Sequence, residues 1–237
     1  MPYAISSSRK RFEIQLDEIK KKLKIADKRG VSTDLRDYAI AAAIFLAHAE
    51  VENYFVDVLG SIAVAYSSAA ADASRLPARL RAHLVVEKFN LQSIAAKFSI
   101  RTGEPDILSA IENWFSSSMV CLLNESKPLA PFDGNDIHGD YGYPSTKNIE
   151  RVLRRIGIGD PKGVLNREAK RDVVGRLESV GNLRTALAHN ASLPGISCAD
   201  VIAHLNGLKM FARALDRVLY AHLRQALPHT VWKASLC

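Results

Sequence analysis

"LRDYAIAAAIFLAHAEVENYFVDVLGSIAVAYSSAAA", Leu35 to Ala71, contains no proline and a single glycine, Gly60. Proline is the residue a helix interior rejects, whereas one glycine costs only about 1 kcal/mol. The stretch is therefore expected to be one long helix, with Thr33 or Asp34 as its cap. Its apolar residues fall on several faces, and a helix that is apolar on more than one side must be covered on more than one side. It is expected at the centre of a bundle. Its polar points, Glu50 with Tyr54 and Asn53 with Asp57, each stand one turn apart.

Working outward, Arg9 to Lys28 is amphipathic, with Phe12, Leu16, Ile19, Leu23 and Ile25 on one side. Whether this basic N-terminal helix (within residues 1–30) packs on the domain or stands off to gather substrate stays open. Shorter helices are expected at Pro77–Glu87, Leu91–Phe98 and Pro105–Leu123. Asn124 to Asn148 is an irregular loop holding three prolines, three glycines and three aromatics, and loops this long inside a domain are often functional. Helices follow at Thr146–Ile156, at Asn166–His189 and from Ser197 or Asp200 to Ala226, the last stopped by Pro228. No strand alternation and no repeat appears. The fold class is all-α: a single helical-bundle domain over residues 1–237 with seven to eight helices.

The net charge of +7 is uneven. Arg9 to Arg29 carries nine Lys/Arg against four Asp/Glu, and Lys147 to Arg184 carries ten against five, so the rest of the chain is slightly acidic. Two concentrated basic stretches suit a polyanion, and they equally suit solvated helix faces. The apolar run Ala39–Ala49 is short and soon followed by Glu50 and Glu52, which argues against a bilayer span. The first fifteen residues have no apolar core of a secretory signal. Three cysteines without a CxxC make neither a disulfide framework nor a zinc cluster. A cytoplasmic location is expected, with no membrane, no cofactor and no metal.

The candidate chemistry lies in "GNLRTALAHN", residues 181–190. Val173, Leu177, Val180, Leu183 and Leu187 form the core stripe of this helix, and Arg184 falls at its margin. His189 lies on nearly the opposite side, at the helix end, one turn from Thr185, whose hydroxyl is placed to touch the imidazole. A protonated histidine in a last turn also complements the helix dipole, and Asn190 can take the left-handed cap, so a purely structural role is open. The Arg-x4-His spacing occurs three times, also at Arg217/His222 and Arg224/His229, so spacing alone does not choose. Context does: only Arg184 is followed by a polar residue that could assist and then by a helix terminus.

These residues resemble the signature of the HEPN superfamily: arginine, a polar residue, about three variable residues, then histidine. "AIFLAHAEVENYFVDVL" resembles the early long helix of its RiboL-PSP and MAE-type groups, and "YPSTKNIERVLRRIGI" resembles the short helix ahead of the motif helix. The resemblance spans roughly Asp34 to Ala226. It implies a helical domain that dimerises with its motif helices facing each other. Many such proteins are metal-independent endoribonucleases acting as toxins or antiviral effectors. Carried onto this chain, Arg184 and His189 become the catalytic pair, Thr185 the polar assistant and Asn190 a neighbour. Thr185 is a departure, since that position is most often Asn, Asp or His in active members.

The chemistry makes sense of the residue types. RNA brings its own nucleophile, the 2′-hydroxyl, so an enzyme needs to move protons and stabilise charge on phosphorus. Histidine titrates near neutrality, and arginine presents a fixed fork to two phosphate oxygens. A single pair is thin for removing one proton while delivering another, and a homodimer would double it. Glu50 and Glu52 are candidates to orient Arg184 or His189, while His48 reads as a core histidine. Tyr141 and Tyr143 are candidates to stack on a base. Asp136, His138 and Asp140 lack the rigid spacing of metal ligands. The expected function is RNA cleavage in a toxin–antitoxin or antiviral setting, with RNA, a second copy and an antitoxin or defence partner as binding partners. The alternative is an inactive helical module that binds RNA, a nucleotide or a partner through the same face.

Overall fold

In the computed structural model, which describes residues 3–90, 104–190, 193 and 195–237, the opening stretch forms one helix. It is α2 (Thr33–Ala69), preceded by α1 (Ser7–Ala26). Ser32 rather than Thr33 or Asp34 caps α2, its hydroxyl accepting from the Leu35 N–H at 3.3 Å. The helix begins one residue after the capping side chain, which is why the cap falls earlier than the sequence suggests. At this length α2 is long and apolar enough to cross a membrane. In the fold, Val51, Phe55, Val58, Leu59 and Tyr66 are instead covered by neighbouring helices.

The helices that follow are α3 (Ala78–Lys88), α4 (Glu104–Ser116), α5 (Gly134–His138), α6 (Thr146–Arg155), α7 (Pro161–Ala169), α8 (Val173–His189), α9 (Cys198–Ala226) and α10 (Val231–Leu236). The all-α class holds, and among the described residues eight of these helices have nine residues or more. The helix expected at Leu91–Phe98 lies outside the described residues. Around α2 stand α1, α5, α8, α9 and α10, and α6 packs on α3, α5, α7 and α8.

The N-terminal helix is part of the bundle. Phe12, Leu16, Ile19 and Leu23 are buried, while Ile25 turns out to solvent at 60% exposure. A fully buried carboxylate, Asp216 on α9, holds this end of the chain. It accepts from the Tyr3 hydroxyl at 2.6 Å and from both the backbone N–H and hydroxyl of Ser6, which also caps α1. Arg9 stands 3.9 Å from the same carboxylate, so the buried charge is compensated.

Three sequence expectations change. The helix expected from Asn166 to His189 is two, because Lys170 takes a left-handed turn (φ 55°) that ends α7. Asp172 and Asn166 then satisfy the first free N–H groups of α8: Asp172 accepts from Gly175, and Asn166 from Val173 and Val174. Pro105–Leu123 likewise breaks after Ser116 into a 3₁₀ turn, Ser118–Leu122. The loop from Asn124 to Asn148 carries structure of its own, α5 and a 3₁₀ turn (Gly139–Tyr141), laid against α2. The approach is backbone to backbone. A methyl built on Gly134 would lie 2.8 Å from both the Cα and N of Gly60, whereas one on Gly60 would meet nothing within 4 Å.

The two glycines should therefore answer substitution differently. Gly134→Ala is expected to cost about 1–3 kcal/mol as overpacking, and Gly60→Ala to be neutral or to stabilise by about 0.5–1 kcal/mol as a helix-interior replacement. Urea unfolding followed by circular dichroism checks both, and equal effects at the two positions would contradict the packing.

Candidate functional site

The stripe predicted for α8 is in the core: Val173, Leu177, Val180 and Leu187 are buried and Leu183 is half-buried. That fixes the rotation of the helix, and with it Arg184, which emerges half-buried at the margin of the stripe. Its guanidinium carbon lies 5.8 Å from the centre of the Phe45 ring on α2 and 6.0 Å from that of Tyr143, just ahead of α6. Among the described residues Arg184 makes no ion pair and no hydrogen bond. A guanidinium resting on two rings while its five N–H groups stay unpaired is free to take an anion.

Beside it opens a cleft of about 300 Å³, lined by His48, Tyr143, the residues Pro144 to Lys147 and, from α8, Leu177, Glu178, Gly181, Asn182 and Thr185. Here α6 begins, and a helix start presents unpaired N–H groups and the positive end of its dipole. Ser145 caps that start by accepting from the Asn148 N–H at 3.1 Å. The Thr146 hydroxyl is buried there with no hydrogen-bond partner among the described residues.

His48 belongs to this cleft, and it is the functional candidate that the sequence reading passed over. Its ring packs 4.9 Å from that of Tyr143 and has no hydrogen-bond partner among the described residues. Burial holds its pKa below the ordinary value near 6.5, the Arg184 charge depresses it further, and Glu52 opposes both. The imidazole is thus neutral at pH 7 and able to accept a proton. Its i, i+4 relation to Glu52 and its position three residues after Phe45 were the available signals.

The other predicted residues scatter. Five residues at about 100° each put Arg184 and His189 about 140° apart round the helix, and His189 is exposed on the last turn. The Thr185 hydroxyl donates back to the Gly181 carbonyl at 3.0 Å, with no bond to His189. Asn190 caps α8 in an extended conformation (φ −127°), not the left-handed one, its N–H bonded to the Ala186 carbonyl at 2.8 Å. Glu52 is felt by His48, but Glu50 faces α1, in a separate cleft with Arg11, Asn53 and Asp57. Tyr143 lines the cleft. Tyr141 lies under Arg151 and Arg155, at 4.3 and 4.8 Å from its ring centre, with that pair occupying the ring.

The decoy spacings have local jobs. His222 bonds the Ile156 carbonyl at 2.6 Å, and Arg217 pairs with Glu168 at 3.2 Å. Arg224 donates directly to His229 at 2.9 Å on the surface. In the 133–143 loop, Asp136 completes the cap of α5 and pairs with Lys88 at 2.6 Å, while His138 Nδ1 bonds the Gly139 carbonyl at 2.7 Å. These groups are engaged locally and do not converge. Among the described residues no group of three His, Cys, Asp or Glu side chains is placed to hold a metal ion.

The family model for RiboL-PSP-HEPN matches residues 10–221, nearly the whole chain, and the protein belongs to that family. No curated protein and no solved structure matched in parallel comparisons.

His48 should titrate below 6.5, with its pKa raised by Arg184→Gln and lowered further by Glu52→Gln. Because the unfolded chain binds the proton more readily, the stability that neutral His48 contributes is present above pH 6.5. It is lost as pH falls from there toward the depressed folded value. Imidazole NMR titration checks this, and a curve unmoved by Arg184→Gln would separate the two groups.

Proposed function

We propose that this protein is a metal-independent endoribonuclease whose active site is completed by a second copy of the chain, a cytoplasmic toxin or antiviral effector held in check by a partner protein. The observation that carries this reading is the uncommitted Arg184 guanidinium, beside the Tyr143 ring that lines a cleft holding a helix start and Lys147. That is a phosphate-sized arrangement of fixed donors. Within one copy His189 points elsewhere, so the pair needs a partner copy to meet across a two-fold axis.

An apolar stripe supports the dimer. Leu35, Tyr38, Phe45 and Leu46 stand exposed at 56, 73, 41 and 46% along one side of α2. Phe45 is the ring beneath Arg184, so the stripe borders the cleft. Water-exposed apolar area of this kind marks an interaction face.

The reaction is balanced without a cofactor. The 2′-oxygen bonds to phosphorus as the P–O5′ bond breaks, leaving a 2′,3′-cyclic phosphate and a 5′-hydroxyl. One imidazole takes the 2′-hydroxyl proton and another gives a proton to O5′. His189 of each copy fits these roles, and Arg184 stabilises the charge on the phosphoryl oxygens. The second reading, an inactive RNA-binding module, is favoured by one observation: the Thr185 hydroxyl proton is spent on Gly181 and leaves His189 unoriented.

Cleavage of a labelled mixed-sequence RNA in EDTA decides between them. Arg184→Ala and His189→Ala should each lose about 100-fold or more in rate, while Arg217→Ala keeps it. A wild type that binds RNA without cutting supports the inactive module. In light scattering, Tyr38→Lys with Leu46→Lys should convert a dimer to a folded monomer and abolish cutting. A monomer that still cuts at the wild-type rate would remove the partner copy from the site.

A further inference from the structure

On its far side α6 lines a second and larger cleft. Lys147, Arg151 and Arg154 stand at i, i+4 and i+7 on one face, along about 10 Å of helix. Arg79 of α3 and Arg155 join them around a cleft of about 550 Å³. The one carboxylate in the lining, Glu150, is engaged by Arg154 at 3.6 Å. Arg155 is fixed in place, donating to the Ile137 and His138 carbonyls at 2.8 and 3.0 Å. Its guanidinium and that of Arg151 share the Tyr141 ring, which holds two like charges side by side.

Among the described residues Arg79, Lys147 and Arg151 make no ion pair, and all three are exposed. Such a concentration of cations is self-repelling until an anion enters it. Its lining argues against a protein partner. Protein interfaces centre on aromatic and apolar groups with charge at the rim, and here, among the described residues, Ala82 is the one apolar residue in the wall. Guanidinium forks strung along a groove, with Arg155 anchored among them, are what a chain of phosphates recruits. Lys147 also lines the Arg184 cleft, so the two clefts meet at that residue.

We propose that the cleft between α3 and α6 binds the sugar–phosphate backbone of an RNA strand and leads it past Lys147 to Arg184. This rests on the ribonuclease reading for its destination but not for the binding itself. Contacts of this type hold the strand without reading its bases, so affinity should follow charge and length more than sequence.

The test is fluorescence anisotropy of the full chain with a labelled, fully 2′-O-methylated RNA, which cannot be cut. Wild type is compared with Arg79→Gln/Arg151→Gln and with a charge-matched control on α1, Lys22→Gln/Lys24→Gln. On single strands each neutralised phosphate contributes about 0.7 to the slope of log affinity against log salt. Losing two should flatten that slope by about 1.4 and weaken binding roughly 20-fold at about 0.1 M salt. The α1 control should stay within about twofold. Wild-type affinity in the cleft variant, or an equal loss in the control, would overturn the proposal. So would polyglutamate displacing the probe as well as RNA of equal charge, which would make the cleft an acidic-peptide site. Circular dichroism confirms that the substituted proteins are folded, and single Arg79→Gln should show half the change in slope. Because Arg184 and His189 are untouched and the probe is inert, cutting and binding can fail separately.

Discussion

Gly134 rests on Gly60 with no side chain between them, and the geometry of the site follows from that contact. It seats the segment between α4 and α6 directly on the central helix. From there the chain reaches Tyr143 against His48 and starts α6 at the edge of the motif helix. A side chain at Gly134 would lift this whole layer. The requirement falls on Gly134, since a methyl on Gly60 itself would point into open space.

The elements legible in the sequence were those fixed by their own periodicity. The long helix, the α1 stripe of Phe12, Leu16, Ile19 and Leu23, and the α8 stripe that puts Arg184 at its edge all follow from spacing and burial. The break at Lys170 was missed because arginines and lysines on both sides read as uninterrupted helix. The signal was Asp172 ahead of two valines, a cap in front of an apolar run. The five-residue helix Gly134–His138 carries too few residues for periodicity and is held by its docking on α2. His48 had only weak local signals, the turn to Glu52 and the nearby Phe45, for a simple reason. Its neighbours Tyr143 and Arg184 are far along the chain, and only folding brings them to one cleft.

Electrostatically the site is built by subtraction. Several acidic side chains elsewhere are matched with bases, as in Arg11 with Asp57 and Lys209 with Asp17. Among the described residues Arg184 and Lys147 make no ion pair, and burial, with the Arg184 charge adding to it, holds the His48 pKa below its ordinary value. Lys147 and the start of α6 thus stand beside a neutral imidazole, with Glu178 the carboxylate in the same lining. That combination suits phosphate chemistry, because a bound anion meets fixed donors and a base with a lone pair to offer.

The cleft also has two kinds of wall. Arg184 and His48 project from helices whose other faces are locked in the core. Tyr143 and Lys147 come from the end of a segment that docks on α2 through the short helix α5 and then runs on to α6. Insertions or deletions between Asp140 and Tyr143 would re-aim the second pair while leaving the first in place. On the ribonuclease reading proposed above, this separates what must stay constant for chemistry from what can drift with the target. An evolutionary lineage could retune recognition through that short segment at little cost in foldability, with the arginine and histidine carried along unchanged.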